Sequence, residues 1–162
     1  MSTFLSSPSF KFRDFRFLWF SSAFNSVGFI GEQVIVGWVI LEITDSSFMV
    51  GVSLAIRMVP FLFLGIIAGS LADRVNRRNL LLLVSMGMAF LSLVLAFIIY
   101  LGIVEVWVIL LLTFLAGCVR ALGQPARQSF AYDIVGTANL VNAISHLSLG
   151  LRLGGIGGSL LA

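Results

Sequence analysis

Charge, cysteine and histidine are all scarce in this sequence. Only 10% of its 162 residues are Asp, Glu, Lys or Arg, and Lys11 is the sole lysine among ten basic residues. A soluble domain carries about 25% charged residues, so this chain has too few polar groups to cover a globule in water. One cysteine, Cys118, and one histidine, His146, exclude a disulfide framework and any Cys/His metal-ligand spacing. Cys118 reads as a small packing residue. The sequence has no H-E-x-x-H, no phosphate-binding P-loop, no paired intramembrane aspartates and no Ser/His pair at helical spacing. Metalloprotease chemistry, ATP-driven transport and intramembrane proteolysis therefore lack the residues they need, and the expectation is a protein that is not an enzyme and uses no cofactor. The N-terminus also lacks a short apolar core with a small-residue cleavage site, so the first apolar segment is expected to be retained.

What the chain does have is apolar surface. It is 59% hydrophobic, with fifteen Phe, and its mean hydropathy is +1.09. Its main solvent is expected to be the lipid bilayer. A formal charge of +3 would hint at nucleic acid in a soluble protein. Here basic residues flanking membrane spans account for it, and no nucleic-acid partner is expected.

Apolar segments recur at about 17–41, 48–71, 79–101, 104–124 and 140–162, each near the ~20 residues a helix needs to cross about 30 Å of hydrocarbon. Residues 1–16 precede them as a cytoplasmic segment. Continuous apolar runs, rather than alternating ten-residue segments, point to an all-α polytopic bundle of about five transmembrane helices and not to a barrel. Pro60 falls inside the second helix, where it is expected to introduce a kink, and Pro125 is expected to end the fourth. The odd helix count and the apolar ending G-G-S-L-L-A lead to the expectation of a fragment of a longer protein.

Basic residues set the orientation. Lys11, Arg13 and Arg16 precede the first span, Arg74, Arg77 and Arg78 lie between the second and third, and Arg127 follows the fourth. The alternate connections at 42–47 and 102–105 hold no Lys or Arg. The positive-inside rule then places the N-terminus and the second and fourth connections in the cytoplasm.

Four ionisable residues remain inside the expected spans: Glu32, Arg57, Arg120 and Arg152. Each costs roughly 2.5–3.5 kcal/mol at a helix centre, and such residues usually face a bundle interior or an aqueous cavity. Counting residues at about 1.5 Å each puts Glu32 about 22 Å deep, Arg152 about 18 Å deep, and Arg57 about 14 Å below the outer surface. These depths would let the three share one aqueous site. Ser22, Asn25, Ser26, Phe29, Glu32 and Gln33 recur at intervals of three and four, a polar stripe on one helix face. Two readings fit: a cavity lining in which Glu32 and Asn25 meet substrate or protons, or a structural ion pair of Glu32 with Arg57 or Arg152. Arg120 fits either a substrate contact or a snorkelling side chain. His146 fits a hydrogen-bonded packing residue better than a proton shuttle. Gly150, Gly154 and Gly158, with Gly155 and Gly157, form a small-residue surface that admits another helix at close range.

The second connection reads G-S-L-A-D-R-V-N-R-R at 69–78. It resembles the signature loop of the major facilitator superfamily, usually written G-x-L-A-D-R-x-G-R-R/K, through Gly69, Leu71, Ala72, Asp73, Arg74, Arg77 and Arg78. Asn76 stands where the family often has Gly, and Asn tolerates a left-handed backbone better than most residues. F-R-D-F-R-F-L-W at 12–19, G-E at 31–32, W-V-I-L-E-I-T-D-S at 38–46, R-M-V-P at 57–60, Q-P-A-R-Q-S-F-A-Y-D-I-V at 124–135 and L-V-N-A at 140–143 are similar to a bacterial branch with enterobactin-exporter-like and macrolide-efflux-like proteins. V-R-A-L-G-Q at 119–124 only loosely resembles the superfamily's R-x-x-Q-G element. G-L-R-L-G-G-I-G-G at 150–158 replaces the Gly-Pro pair of its antiporter motif.

The resemblance implies a twelve-helix transporter in two halves, with substrate bound between them near the midplane. This chain would supply the first five helices and lack the C-terminal half. It also implies a cytoplasmic gate at Gly69, Asp73, Arg74, Arg77 and Arg78. Asp73 would accept hydrogen bonds from a helix N-terminus of the other half. The alternative is that the arginines only anchor topology. The expected function is proton-coupled efflux of a small organic molecule, such as a siderophore or drug, by alternating access across the bacterial inner membrane. Glu32, Asn25, Arg57, Arg120 and Arg152 are its candidate coupling or substrate residues, with protons as the coupling ion. The competing expectation is a non-transporting membrane scaffold or assembly subunit.

Overall fold

A computed structural model of the chain describes the backbone of residues 8–161 and the side chains of 9–65 and 75–160. Among the described residues the regular structure is all helical. A single 3-10 turn, Pro8–Lys11, leads into α1 (Arg13–Thr44), α2 (Ser47–Arg74), α3 (Arg77–Tyr100) and α4 (Val106–Leu161). All four are long and apolar enough to cross a membrane. α4 is two helices joined at Gly136, whose φ of 70° and ψ of 177° lie outside the helical region. Its limbs cover 106–135 and 137–161.

The helices reach further than the apolar runs do. Residues 72–74 are still helical, and only Val75 and Asn76 separate α2 from α3. A helical backbone needs its hydrogen bonds rather than apolar side chains, so the charged flanks stay wound. Asn76 does not take the left-handed conformation open to it. Its φ is −59° and its side chain caps α3 by accepting from the N–H groups of Arg78 and Asn79, at 3.1 and 3.4 Å. Left-handed residues lie at two other connections. Asp45, at φ 47°, ends α1, and its N–H donates to the Leu41 carbonyl at 2.8 Å. Gly102, at φ 68°, follows α3 as a C-terminal glycine.

Pro125 does not end a helix either; it lies inside α4, and the break falls eleven residues later at Gly136. A proline blocks only the bond to the carbonyl four residues back, and helical structure continues through it. A glycine can adopt the extended, positive-φ geometry that redirects the chain.

The chain forms two compact units: the residues through Val34 with those from Gln128 onward, and Ile35–Arg127. In the second unit, α1's end, α2's start, α3's end and α4's start meet around Val36, Ile40, Leu95, Ile109 and Leu110. At α3's other end Leu80 and Val84 pack on Ala126 with Val119 and Leu122. These two clusters fix α3 and α4 as antiparallel neighbours.

In the first unit α1 and the second limb of α4 lie parallel and very close. A methyl on Gly150 would stand 2.8 Å from Trp19 Nε1, one on Gly154 would strike the Ala23 carbonyl, and one on Gly158 would stand 2.5 Å from the Val27 carbonyl. The glycine stripe is therefore filled by α1's backbone. Hydrogen bonds add to the contact. Trp19 Nε1 donates to the His146 carbonyl at 2.8 Å, and Ser26 Oγ donates to the Leu151 carbonyl at 2.6 Å. Below them Ser9 Oγ donates to Asn142 Oδ1 at 2.8 Å. The Phe10 ring packs edge-on against Phe15, Trp19 and His146, at centroid separations of 5.5, 5.8 and 5.2 Å.

Gly154→Val is expected to destabilise the fold by about 1–3 kcal/mol, because the added branches have no space to enter. Gly28→Ala, with nothing within 4 Å of the new methyl, should leave the thermal midpoint in detergent unchanged or raised. Gly136→Ala is expected to cost about 1–3 kcal/mol by forcing a side chain into backbone space essentially reserved for glycine. The same melting measurement checks it, and an unshifted midpoint would count against the break at this residue.

Candidate functional site

The charged residues inside the spans divide between the two units. In the first, α1 carries Asn25 and Glu32, both half-buried. The polar stripe around them is split by packing. Ser22 turns its hydroxyl onto its own helix, donating to the Leu18 carbonyl at 2.6 Å, while Ser26 is spent on α4. Asn25, Phe29, Glu32 and Gln33 are the stripe members that stay partly accessible.

Arg152 lies elsewhere than its depth count suggests. Gly150 packs on Trp19, Gly154 on Ala23 and Gly158 on Val27, a constant offset of 131 positions. That register sets Arg152 level with Ser21, about 11 positions and hence roughly 16 Å along the axis from Glu32. Arg152 is also exposed, two positions from Gly150 and Gly154 and so on the opposite face of its helix. Counting each helix from its own expected start assumed starts at a common depth, and the observed register differs. Arg152 and Glu32 are not brought to one place on this unit.

In the second unit Arg57 is deeply placed, with 3% of its surface exposed. Ser53, Arg57 and Pro60 follow one another at helical spacing, and all three are buried, so they form the packed face of α2. That face meets α4 at Gly117, where an added methyl would stand 2.6 Å from the Arg57 carbonyl and 3.1 Å from the Pro60 ring. Arg120 follows three positions along α4, half-buried, with its Nη1 shielded from solvent like the Nε and Nη1 of Arg57. Two guanidinium groups are thus placed in the packed interior of this unit. The sequence signals Arg57 and Arg120 by charge alone. Gly117, which allows α4 to approach Arg57, carries no comparable signal.

At the α2–α3 connection, Gly69, Asp73 and Arg74 belong to residues 66–74, whose side chains lie outside those described. Arg77, half-buried, and Arg78, exposed, occupy the first turn of α3, which holds no acidic residue. Cations there oppose the helix dipole, so helix stability does not explain their placement. His146 is 8% exposed and edge-on to Phe10, with its carbonyl held by Trp19. The ring is therefore packed, while the hydrogen bond from Trp19 goes to the backbone carbonyl of His146 and not to its imidazole. Among the described residues no group of three or more His, Cys, Asp or Glu is placed to hold a metal ion.

The family of transmembrane secretion effectors within the major facilitator superfamily, MFS_3, matches residues 5–162. No curated protein and no solved structure matches the chain. The match spans the apolar helices, the Asp-Arg-x-x-Arg-Arg connection and the intramembrane charges alike, and the chain belongs to this family of multi-pass membrane transporters.

Proposed function

We propose that the chain serves proton-coupled efflux of a small organic molecule, such as a siderophore or drug, by alternating access in the bacterial inner membrane. The observation that carries this reading is Glu32, a half-buried carboxylate deep in a helix otherwise packed through glycine and serine. A carboxyl group in such surroundings is the simplest device for taking up and releasing a proton as access alternates. Asn25, two turns away on the same face, supplies a neutral hydrogen-bonding group. Arg57 and Arg120 are proposed to attract an anionic part of the substrate, and Arg152 is left with at most a peripheral part. A second helical half completes the substrate site in this reading, with the N-terminus on the cytoplasmic side as the basic residues favour.

The connection at 69–78 is proposed as a cytoplasmic gate, with Asp73 as acceptor for a helix N-terminus and Gly69, Arg74, Arg77 and Arg78 shaping and flanking it. Three arginines alone would serve orientation. Asp73 reduces the local positive charge and so serves something else.

Glu32→Gln in the complete transporter is expected to abolish the pH dependence of transport while substrate binding persists, read by uptake into inverted vesicles across a pH series. Unchanged pH-dependent transport would refute the coupling role. Asp73→Asn is expected to lower transport at least tenfold at normal expression, with an unaltered topology by cysteine labelling. Full activity would leave the connection as an orientation signal only.

A further inference from the structure

Gly117, Gly154 and Gly158 each have a use in packing, since an added methyl on any of them would run into a neighbouring backbone carbonyl. Gly28, in the middle of α1, is different. It is exposed, and nothing lies within 4 Å of where its methyl would stand. Glycine weakens a helix interior relative to alanine, and no contact among the described residues accounts for it here.

The surroundings of Gly28 are chemically particular. α1 gives one side to α4's second limb, through Trp19, Ala23, Ser26 and Val27. At 3.6 residues per turn, Asn25, Gly28 and Glu32 fall on the opposite side, with Phe24 at their edge. Positions three and four away border a residue on a helix surface, so Phe24, Asn25 and Glu32 all adjoin Gly28. The Phe24 ring is 74% exposed, and Asn25 and Glu32 are half-buried. Helical side chains lean toward the N-terminus, which carries Glu32 back toward Gly28 without covering it. The result is a notch floored by bare backbone, with a phenyl ring and an amide before it and a carboxylate after it. Asn25 and Glu32 stand about 10 Å apart along the axis. A carboxylate and an amide at this depth turn toward protein or water and away from acyl chains.

We propose, building on the transport reading, that Gly28 determines specificity by leaving room for a planar aromatic ring of the transported molecule. The ring lies on the backbone at this position and packs against Phe24. A hydroxyl or N–H on it donates to Glu32, and Asn25 meets a second polar substituent, since its amide both donates and accepts. A puckered, saturated ring is too thick for a space made by the omission of one side chain.

The test is uptake of a hydroxynaphthalene sulfonate into inverted vesicles holding the complete transporter, compared with its ring-hydrogenated analogue. The sulfonate keeps both probes from crossing the lipid unaided. The planar probe is expected to show a KM at least fivefold below that of the hydrogenated one. Gly28→Leu should raise the planar probe's KM at least fivefold, with Vmax and the hydrogenated probe's KM held within twofold and the thermal midpoint unchanged or raised. Gly28→Ala should shift it less in the same direction, which serves where leucine disturbs folding. Phe24→Leu should raise KM for the planar probe alone, and Phe24→Tyr should restore it. Equal KM values for the two probes, or no saturable uptake of the planar one, would overturn the proposal. So would a Gly28→Leu loss shared by both probes, which would mark Gly28 as a packing position against the second helical half. The coupling reading survives such a failure as long as Glu32→Gln abolishes the pH dependence; an unchanged pH profile sinks that reading whatever the ring selectivity.

Discussion

Hydrocarbon offers no hydrogen-bonding partner to the peptide backbone, and most of this architecture follows from that single constraint. Every N–H and C=O at membrane depth must be paired within the protein, which leaves the continuous helix as the form an isolated segment can take. The helices accordingly wind on through their charged flanks, and the connection between α2 and α3 is only two residues long. Chain direction changes at Asp45 and Gly102, whose backbone N–H groups bond back to the Leu41 and Ile99 carbonyls, and at Asn76, whose side chain caps the next helix. The hydroxyls obey the same rule. Ser22, Thr44, Ser53 and Ser145 each donate to a carbonyl one turn back on their own helix.

Lipid tails are as apolar as leucine, so helices here are held together by close packing and not by exclusion of water. Gly150, Gly154 and Gly158 bring α4's second limb onto the backbone of α1, and Ser26 and Trp19 add donors across the contact. Gly117 does the same for α4 against Arg57 and Pro60. The second case has a chemical result: a close backbone contact lets a charged side chain be enclosed by protein instead of facing acyl chains. Packing by small residues and the burial of charge are thus one arrangement seen from two sides.

Much of this is legible in the residues themselves. The apolar runs show the spans, and the four-residue glycine spacing shows that some helix must approach closely. Which helix it is cannot be read from the stripe, because a backbone surface of small side chains accepts many faces. Pro125 draws attention as a breaker, yet Gly136, in an unremarkable V-G-T context, is where the helix turns. The difference is energetic: proline removes one bond, whereas only glycine enters the backbone geometry found there. Arg152 is placed wrongly by counting because depth depends on interhelical register, which rests on contacts between Gly150 and Trp19 far apart in the chain. Glu32 and Arg57 announce themselves by charge in apolar surroundings, while the groove lined by Phe12, Arg13, Asp14, Phe130, Asp133 and Ile134 joins residues at least 116 positions apart and has no sequence signature.

The bond from Ser26 to the Leu151 carbonyl joins residues 125 positions apart. A ribosome adding roughly 5–20 residues each second needs on the order of 6–25 s to cover that distance. For that interval α1 resides in the bilayer, or at the insertion machinery, before the glycines that receive it have been synthesised. Its hydropathy must therefore suffice for insertion by itself, although it carries Asn25, Glu32 and Gln33. The polar content of α1 is limited from above by biogenesis, whatever larger number of polar groups the mature transporter could employ.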